Sequence, residues 1–112
     1  MKKELREKVY NKCGGRCAYC GIDIAIDGFQ VDHKHPQYLG GSDCLENLLP
    51  SCRSCNATKS TYTIEKFRER ITGDIARIRR DSSKFRILER FGAIEVTGIE
   101  VKFYFEWTDK EE

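Results

Sequence analysis

The sequence predicts a small α+β domain with a metal clamp, followed by a C-terminal part of helices and a β-hairpin. Three observations carry this prediction: two Cys-x2-Cys pairs 31 residues apart, alternating apolar residues before an Asp-His pair, and a helical period across residues 64–78. With 112 residues, the chain suits one domain with a modest core. We divide it into a core domain with an N-terminal helix, residues 1–63, and an extension, residues 64–112, packed as one unit.

The two cysteine pairs predict a structural zinc site. Four thiolates suit tetrahedral zinc, and two residues between paired cysteines let both sulfurs meet one ion. The expected ligands are Cys17, Cys20, Cys52 and Cys55. The alternative is that these cysteines are redox thiols or unpaired core residues. Two matched pairs argue against that alternative. Cys13 could compete as a ligand, but the glycines after it favour a turn, so Cys13 and Cys44 are expected to be bystanders.

Composition argues against a membrane protein and for a reducing compartment. Charged residues make up 34% of the chain, and no apolar run is long enough to span a bilayer. The first residues are charged and lack the apolar stretch of a signal peptide. We therefore expect a cytoplasmic location. In that reducing compartment, six cysteines indicate a metal-binding site rather than disulfide bonds.

Charge is distributed unevenly along the extension. Residues 64–90 have nine basic and five acidic residues, whereas residues 95–112 have two and six. The basic faces could contact phosphates, although such faces are more often simply solvated. The acidic end should avoid nucleic acid, so its aromatic residues are expected in a core rather than in a base-stacking platform. The extension could complete the core, dimerise or dock a partner.

The first half of the chain predicts a helix, an extended stretch and a second helix. Residues 2–12 suggest a short charged helix with apolar residues four positions apart. Residues 22–35 suggest extended chain, with alternating isoleucines and the hairpin signal Asp27-Gly28. A helix is expected to start near Ser51.

The second half predicts helices and then a hairpin. A helical period begins at Ile64, and we expect a break near Gly73. Ser83 is a candidate cap for a shorter helix that stops at Gly92. Residues 94–107 alternate between apolar and polar side chains around a glycine, which predicts a β-hairpin.

Polar residues near the clamp suggest a second, catalytic site. A zinc ion held by four cysteines has no open position, so chemistry would need other groups. Asp and Asn oxygens favour a hard ion such as Mg²⁺ or Mn²⁺, and a neutral imidazole can take a proton from water. The candidates are Asp32, His33, His35, Asn47, Asn56 and Lys59. Such a set suits hydrolysis of a phosphodiester.

In their order along the chain, these residues resemble the HNH endonuclease family, in its zinc-containing branch. The motif positions are Cys17-x2-Cys20-Gly21, Asp32-His33, Pro36, Gly40-Gly41, Asn47-Leu48, Cys52-x2-Cys55-Asn56 and Lys59. The match covers roughly residues 13–60. The resemblance implies a ββα-metal fold, also called a His-Me finger, that hydrolyses DNA with one catalytic divalent ion. Double-stranded DNA is the expected partner, and a homodimer or a phage or restriction partner protein is compatible.

The resemblance also implies roles for single residues. His33 would be the general base, Asp32 a ligand of the catalytic ion, and Asn47 the residue that orders the loop. Asn56 stands where many members have a histidine and would be the second ligand. We expect Arg53 and Lys59 to contact the DNA backbone.

The two histidines are not equivalent in this interpretation. No family role maps onto His35, so a phosphate contact and a plain surface position are both open. Zinc binding by His33 and His35 together would require one cysteine pair to be displaced. The rival function is a catalytically silent zinc module that binds nucleic acid or a protein.

Overall fold

The computed structural model describes residues 1–108 of the chain. Its elements, in chain order, are α1 (Lys3–Asn11), β1 (Gln30–His33), β2 (Leu48–Ser51), α2 (Arg53–Lys59), α3 (Ile64–Asp81), α4 (Ser83–Arg90) and α5 (Tyr104–Thr108). Single turns of 3-10 helix, Gln37–Leu39 and Leu45–Asn47, lie between the strands. The succession β1, β2, α2 confirms the predicted ββα arrangement within a small α+β fold.

The two strands form an antiparallel pair that fixes the position of the Asp-His dipeptide. Asp32 is opposite Leu49, and His33 is opposite Leu48. All four residues of β2 are buried. Pro50 cannot donate a backbone hydrogen bond, but its carbonyl accepts one from the Ala18 N–H at 2.8 Å. Through this bond β2 joins β1 to the first cysteine pair.

The hairpin predicted within residues 22–35 is wrong. Asp27-Gly28 does form a turn, in which the Gly28 N–H donates to the Ala25 carbonyl at 3.2 Å. Residues 22–26, however, form no strand and take part only in an isolated bridge between Asp23 and Arg16. The buried backbone of β2 is the partner that β1 takes instead, because local alternation does not specify which segment completes a sheet.

A small apolar core lies beneath the strand pair. Val9 of α1, Phe29 and Leu48 are its fully or almost fully buried members. Half-buried apolar side chains surround them: Leu5, Tyr10, Ile24, Val31 and Leu45. The core thus joins α1 to both strands, as the charged but amphipathic α1 sequence predicted.

The predicted C-terminal hairpin is also wrong. Among the described residues, positions 94–103 contain no strand, and Tyr104–Thr108 form helix α5. The alternation does bury two aromatic residues, Phe103 and Phe105, whereas Trp107 is 56% exposed. No second strand pairs with this segment. Instead the Phe105 N–H donates to the Ala18 carbonyl at 2.8 Å, so tertiary contacts override the strand pattern.

Two compact units divide the chain. One comprises Met1–Phe67 and the described residues from Lys102 onward, and the other comprises Arg68–Val101. This division differs from the boundary at residue 63 that the sequence suggested, because the aromatic residues near the C-terminus pack in the first unit. No helix of the described residues is long and apolar enough to cross a membrane.

In the second unit, the predicted break of α3 at Gly73 is wrong, since the helix continues to Asp81. A single glycine costs a helix only about 1 kcal/mol, and the Arg77 guanidinium covers it while pairing with Asp74 at 2.8 Å. The cap of α4 is Ser82 rather than Ser83, and its hydroxyl accepts from the Phe85 N–H at 3.1 Å.

Candidate active site and metal cluster

The four predicted cysteines lie together. One sulfur atom from each of Cys17, Cys20, Cys52 and Cys55 lies within 4.8 Å of all the others. The sulfurs of Cys20 and Cys52 are 3.8 Å apart. A tetrahedral zinc with Zn–S bonds of about 2.3 Å requires sulfur separations of about 3.8 Å, so the cluster fits the size of that ion.

The protonation of these thiols also fits a metal site. A hydrogen bond from Cys55, aided by backbone N–H groups, lowers the pKa of Cys17 to about 4. The same contact, together with burial, raises the pKa of Cys55 far above its usual range. Burial raises the pKa of Cys20 as well. Thiols this close together oppose one another's ionisation, so four thiolates would need a cation to stabilise them.

Asp32 is a buried carboxylate with two donors on one oxygen. Its side chain is 7% exposed, and its Oδ2 accepts a hydrogen bond from the Tyr19 hydroxyl. The Lys59 ammonium lies 3.0 Å from the same Oδ2. Both donors are on Oδ2, and Asp32 is one of the residues that line a cavity. Burial, followed by the charge of Asp32, raises the pKa of Tyr19 far above its usual range, so the hydroxyl remains a donor.

Lys59 does not occupy the exposed position that contact with DNA phosphates would need. Its side chain is fully buried, and Nζ donates to the His33 carbonyl at 2.8 Å as well as pairing with Asp32. This position follows from its place in the last turn of α2, beside the end of β1. Lys59 thus supports the Asp-His dipeptide, where the sequence predicted a contact to the DNA backbone.

His33 is oriented by a carboxylate. Its Nε2 lies 2.7 Å from Asp43 Oδ1, which also accepts from Gln37 Nε2 at 2.8 Å. The His33 hydrogen bond is the main cause that lowers the pKa of Asp43. An ionised carboxylate can only accept, so Nε2 carries the hydrogen, and Nδ1 of the neutral ring holds the lone pair.

Asn47 ties together the loop between the strands. Its Nδ2 donates to the carbonyls of His35 and Ser42, at 3.0 and 2.8 Å. Its Oδ1 accepts from the His35 N–H at 2.9 Å, and its own carbonyl accepts from the Lys34 N–H at 2.8 Å. These contacts close the loop that holds Asp43 next to His33.

The other predicted residues lie around this centre. Asn56 is half-buried on α2, one residue after Cys55, and Arg53 is exposed in the first turn of that helix. His35 is exposed, and its Nε2 donates to the Leu39 carbonyl at 3.1 Å. Cys13 is buried and Cys44 exposed, and neither belongs to the four-cysteine cluster.

A cavity of about 320 Å³ opens where β1 ends. Asp32, His33, Gln37 and Lys59 are among the residues that line it, whereas Asn47 and Asn56 do not. The cavity therefore places a carboxylate and an imidazole on one surface, next to a buried cation.

Sequence reasoning missed two members of the site, Tyr19 and Asp43. Tyr19 is the only residue with a hydroxyl between the first two ligand cysteines, a signal that could have been noticed. Asp43 has no distinguishing spacing, because its contact with His33 depends on how the loop closes.

Comparison with known proteins finds a family for the part of the chain that contains the site. The sequence model of the HNH endonuclease family matches residues 17–61, from the first ligand cysteine to just past Lys59. Residues 17–61 therefore match an HNH domain. Both cysteine pairs and the Asp32-His33 dipeptide of the HNH domain lie within the matched residues.

Two curated relatives are named as endonucleases. YoqL, an SPbeta prophage-derived protein of Bacillus subtilis named as an HNH endonuclease, is 28% identical over 79 residues. That match covers 59% of this chain and 34% of YoqL. The CRISPR-associated endonuclease Cas9 of Corynebacterium diphtheriae is 38% identical over 45 residues, which cover 39% of this chain and 4% of that protein. The matches thus span about a third of YoqL and a small fraction of the Corynebacterium diphtheriae Cas9.

A solved structure shares the fold of the HNH domain. The crystal structure of the type II-C Cas9 enzyme from Actinomyces naeslundii matches with a TM-score of 0.55 and 29% sequence identity. The match covers 60% of this chain and 8% of the Cas9 chain.

Proposed function

We propose that this HNH domain hydrolyses phosphodiester bonds of double-stranded DNA, with one divalent ion and with His33 as general base. The observation that carries the proposal is the placement of His33 and Asp32 on the wall of one cavity. An imidazole beside a carboxylate supplies the proton acceptor and the oxygen ligand that such a hydrolysis needs. The relatives named as endonucleases support the same reaction class.

In this mechanism, Asp43 holds the His33 ring and His33 takes the proton. The bond of 2.7 Å to Asp43 keeps the hydrogen on Nε2, so Nδ1 accepts a proton from water. The carboxylate also stabilises the imidazolium that forms. Asn47 maintains the arrangement by closing the loop from which Asp43 projects.

Asp32 and Asn56 are the proposed ligands of the divalent ion, which would be Mg²⁺ or Mn²⁺. Their oxygens are the donor type that these ions prefer. Asn56 lies three residues before Lys59 on α2, so it is about one helical turn from the residue whose Nζ is 3.0 Å from Asp32. When bound, the ion would stabilise negative charge on the phosphate and the departing oxygen.

The four cysteines would hold a structural zinc ion rather than a catalytic one. A site with four sulfur ligands is closed, so it offers no position for water or substrate. Its proposed contribution is to fix the first pair against β2 and the second pair at the start of α2, where Cys52 caps the helix. All six cysteines are free thiols, which agrees with the proposed cytoplasmic location.

Contacts to the DNA backbone are proposed for Arg53 and His35, both of which are exposed. Basic residues of α3 and α4 would add sequence-independent, salt-sensitive affinity. We also propose that the domain acts either as a homodimer or together with a partner protein from a phage or restriction system.

One observation favours the alternative function, in which the domain is a zinc module that binds nucleic acid or a protein and has no catalytic activity. The Lys59 ammonium already neutralises Asp32, which in a silent module would need no metal. The two functions differ in a plasmid-nicking assay with Mg²⁺ or Mn²⁺, using wild type and His33→Ala. A nuclease should nick DNA and lose this activity on substitution, whereas a silent module should bind without nicking.

A further inference from the structure

Tyr19 is held firmly inside the first cysteine pair. Its backbone N–H points to the Cys17 sulfur at 3.4 Å, and its carbonyl accepts from the Tyr104 N–H at 3.1 Å. Its ring is 3% exposed and packs edge-on against three phenylalanine rings, with centroid distances of 5.2 to 6.1 Å. Backbone and ring are both fixed, so the direction of the hydroxyl is fixed too.

That hydroxyl ends on the carboxylate of Asp32. It donates to Oδ2, the oxygen that also pairs with Lys59 Nζ. Lys59 is itself held by the His33 carbonyl at 2.8 Å. Two buried donors on a single oxygen restrict rotation of the carboxylate, which lines the cavity and has Oδ1 outside both of these contacts.

We infer that Tyr19 is a positioning residue that links the cysteine cluster to the catalytic carboxylate, so that the state of the zinc site sets the affinity for the divalent ion. The inference rests on the proposed function, because it assumes that Asp32 is a ligand of that ion. The link runs from the Cys17-Ala18-Tyr19-Cys20 turn, through one hydroxyl, to Asp32. Loss of zinc would release the turn, and the carboxylate would lose its orientation.

The inference can be tested by Mn²⁺ binding to the full, zinc-loaded chain, measured by electron paramagnetic resonance of the free ion. Tyr19→Phe keeps the ring and removes only the hydroxyl. Groups that orient a ligand typically contribute about 10-fold to 100-fold to metal affinity, and we expect a loss in that range. The Mn²⁺ concentration for half-maximal nicking should rise by a similar factor, with a smaller change in the rate at saturating Mn²⁺.

Tyr10→Phe is the matched control. The Tyr10 hydroxyl also makes one hydrogen bond, to the Ile24 carbonyl at 2.8 Å, but it does not contact Asp32. This variant should keep the wild-type affinity for Mn²⁺. A second variant has 4-aminophenylalanine at position 19, which retains both the ring and a donor. This variant should recover most of the affinity for Mn²⁺. The same recovery is expected if Tyr19→Phe turns out to contain less zinc than wild type.

The outcomes separate this inference from the proposed function. If wild type nicks DNA but Tyr19→Phe binds Mn²⁺ as tightly as wild type, the positioning role is wrong and the nuclease proposal stands. The role is also wrong if 4-aminophenylalanine loses as much affinity as phenylalanine, or if Tyr10→Phe loses as much. Wild type that binds no Mn²⁺ at all overturns both the link and the proposed catalytic ion.

Discussion

His33 Nε2 lies 2.7 Å from Asp43 Oδ1, although the two residues are ten positions apart and the Asp43 side chain is 71% exposed. The contact exists because the loop between β1 and β2 folds back on itself. Asn47 holds that loop from one side, and Gln37 donates to the same Asp43 oxygen from the other. An exposed carboxylate thereby acquires a defined position next to the proposed base.

Removal of Asp43 should impair nicking without unfolding the protein. In Asp43→Ala, the His33 ring loses the acceptor that fixes its hydrogen on Nε2, so fewer molecules present Nδ1 to water. We expect the nicking rate to fall about 10-fold to 100-fold, since misplaced catalytic groups cost up to about 100-fold. Asp23→Ala is the control, because it removes an exposed carboxylate that pairs with Arg16 at 3.8 Å and lies outside the site. Equal rates in both variants would exclude an orienting role for Asp43.

Asn47→Ala should loosen the loop and reduce nicking. The variant loses two donated hydrogen bonds and one accepted bond, all of them within the loop. The His35 amide should then exchange its hydrogen faster, and activity should fall about 10-fold or more as His33 loses its partner. Asn11→Ala, at the exposed end of α1, provides the comparison. Unchanged amide exchange in Asn47→Ala would show that other contacts hold the loop.

The cysteine cluster should bind one zinc ion per chain. Cys52→Ser removes a sulfur ligand, whereas the serine hydroxyl can still cap α2 as the Cys52 sulfur does by accepting from the Cys55 N–H at 3.3 Å. We expect it to lose zinc by elemental analysis and to lose cooperative thermal unfolding, because structural zinc contributes folding free energy. Cys44→Ser, outside the cluster, should retain both. Wild type that is stable and free of zinc would contradict this assignment.

The aromatic cluster of the first unit should contribute strongly to stability. Phe67 is 1% exposed and stacks on Phe103 with a centroid distance of 5.0 Å. Phe67→Ala should lower the free energy of unfolding by about 3–5 kcal/mol, the usual effect of truncating a buried phenylalanine. Phe91→Ala, at an 83% exposed position, should change it little. Urea denaturation of both variants measures the difference, and similar midpoints would contradict the packing described.

The sequence was sufficient for features determined by local spacing. The cysteine pairs, the helix after Cys52 and the position of Asp32-His33 near a strand end were all predicted, because ligand spacing and helix period are local properties. The strand containing Pro50 was not predicted, since proline disfavours sheets except at edges. Nor did the alternation of residues 94–107 reveal that its aromatic residues pack against Tyr19 without a partner strand.

Within the site, the unpredicted features depend on tertiary contacts. Lys59 was predicted to contact the DNA backbone, but it is buried, and Asp32 and the His33 carbonyl satisfy its ammonium group. Asp43 and Tyr19 reach their partners only after the loop and the cysteine cluster have formed. A single sequence gives no measure of such contacts.

The most direct test of the central claim is plasmid nicking in Mg²⁺ or Mn²⁺ by wild type, His33→Ala and His35→Ala. We expect wild type to nick and His33→Ala to lose about 100-fold to 10,000-fold, the usual range for a general base. His35→Ala should weaken DNA binding at most, because the exposed His35 ring hydrogen-bonds to the Leu39 carbonyl and His35 is not among the residues that line the cavity of Asp32 and His33. Equal nicking by wild type and His33→Ala, or a loss in His35→Ala as large as that in His33→Ala, would contradict the assignment of His33 as the base.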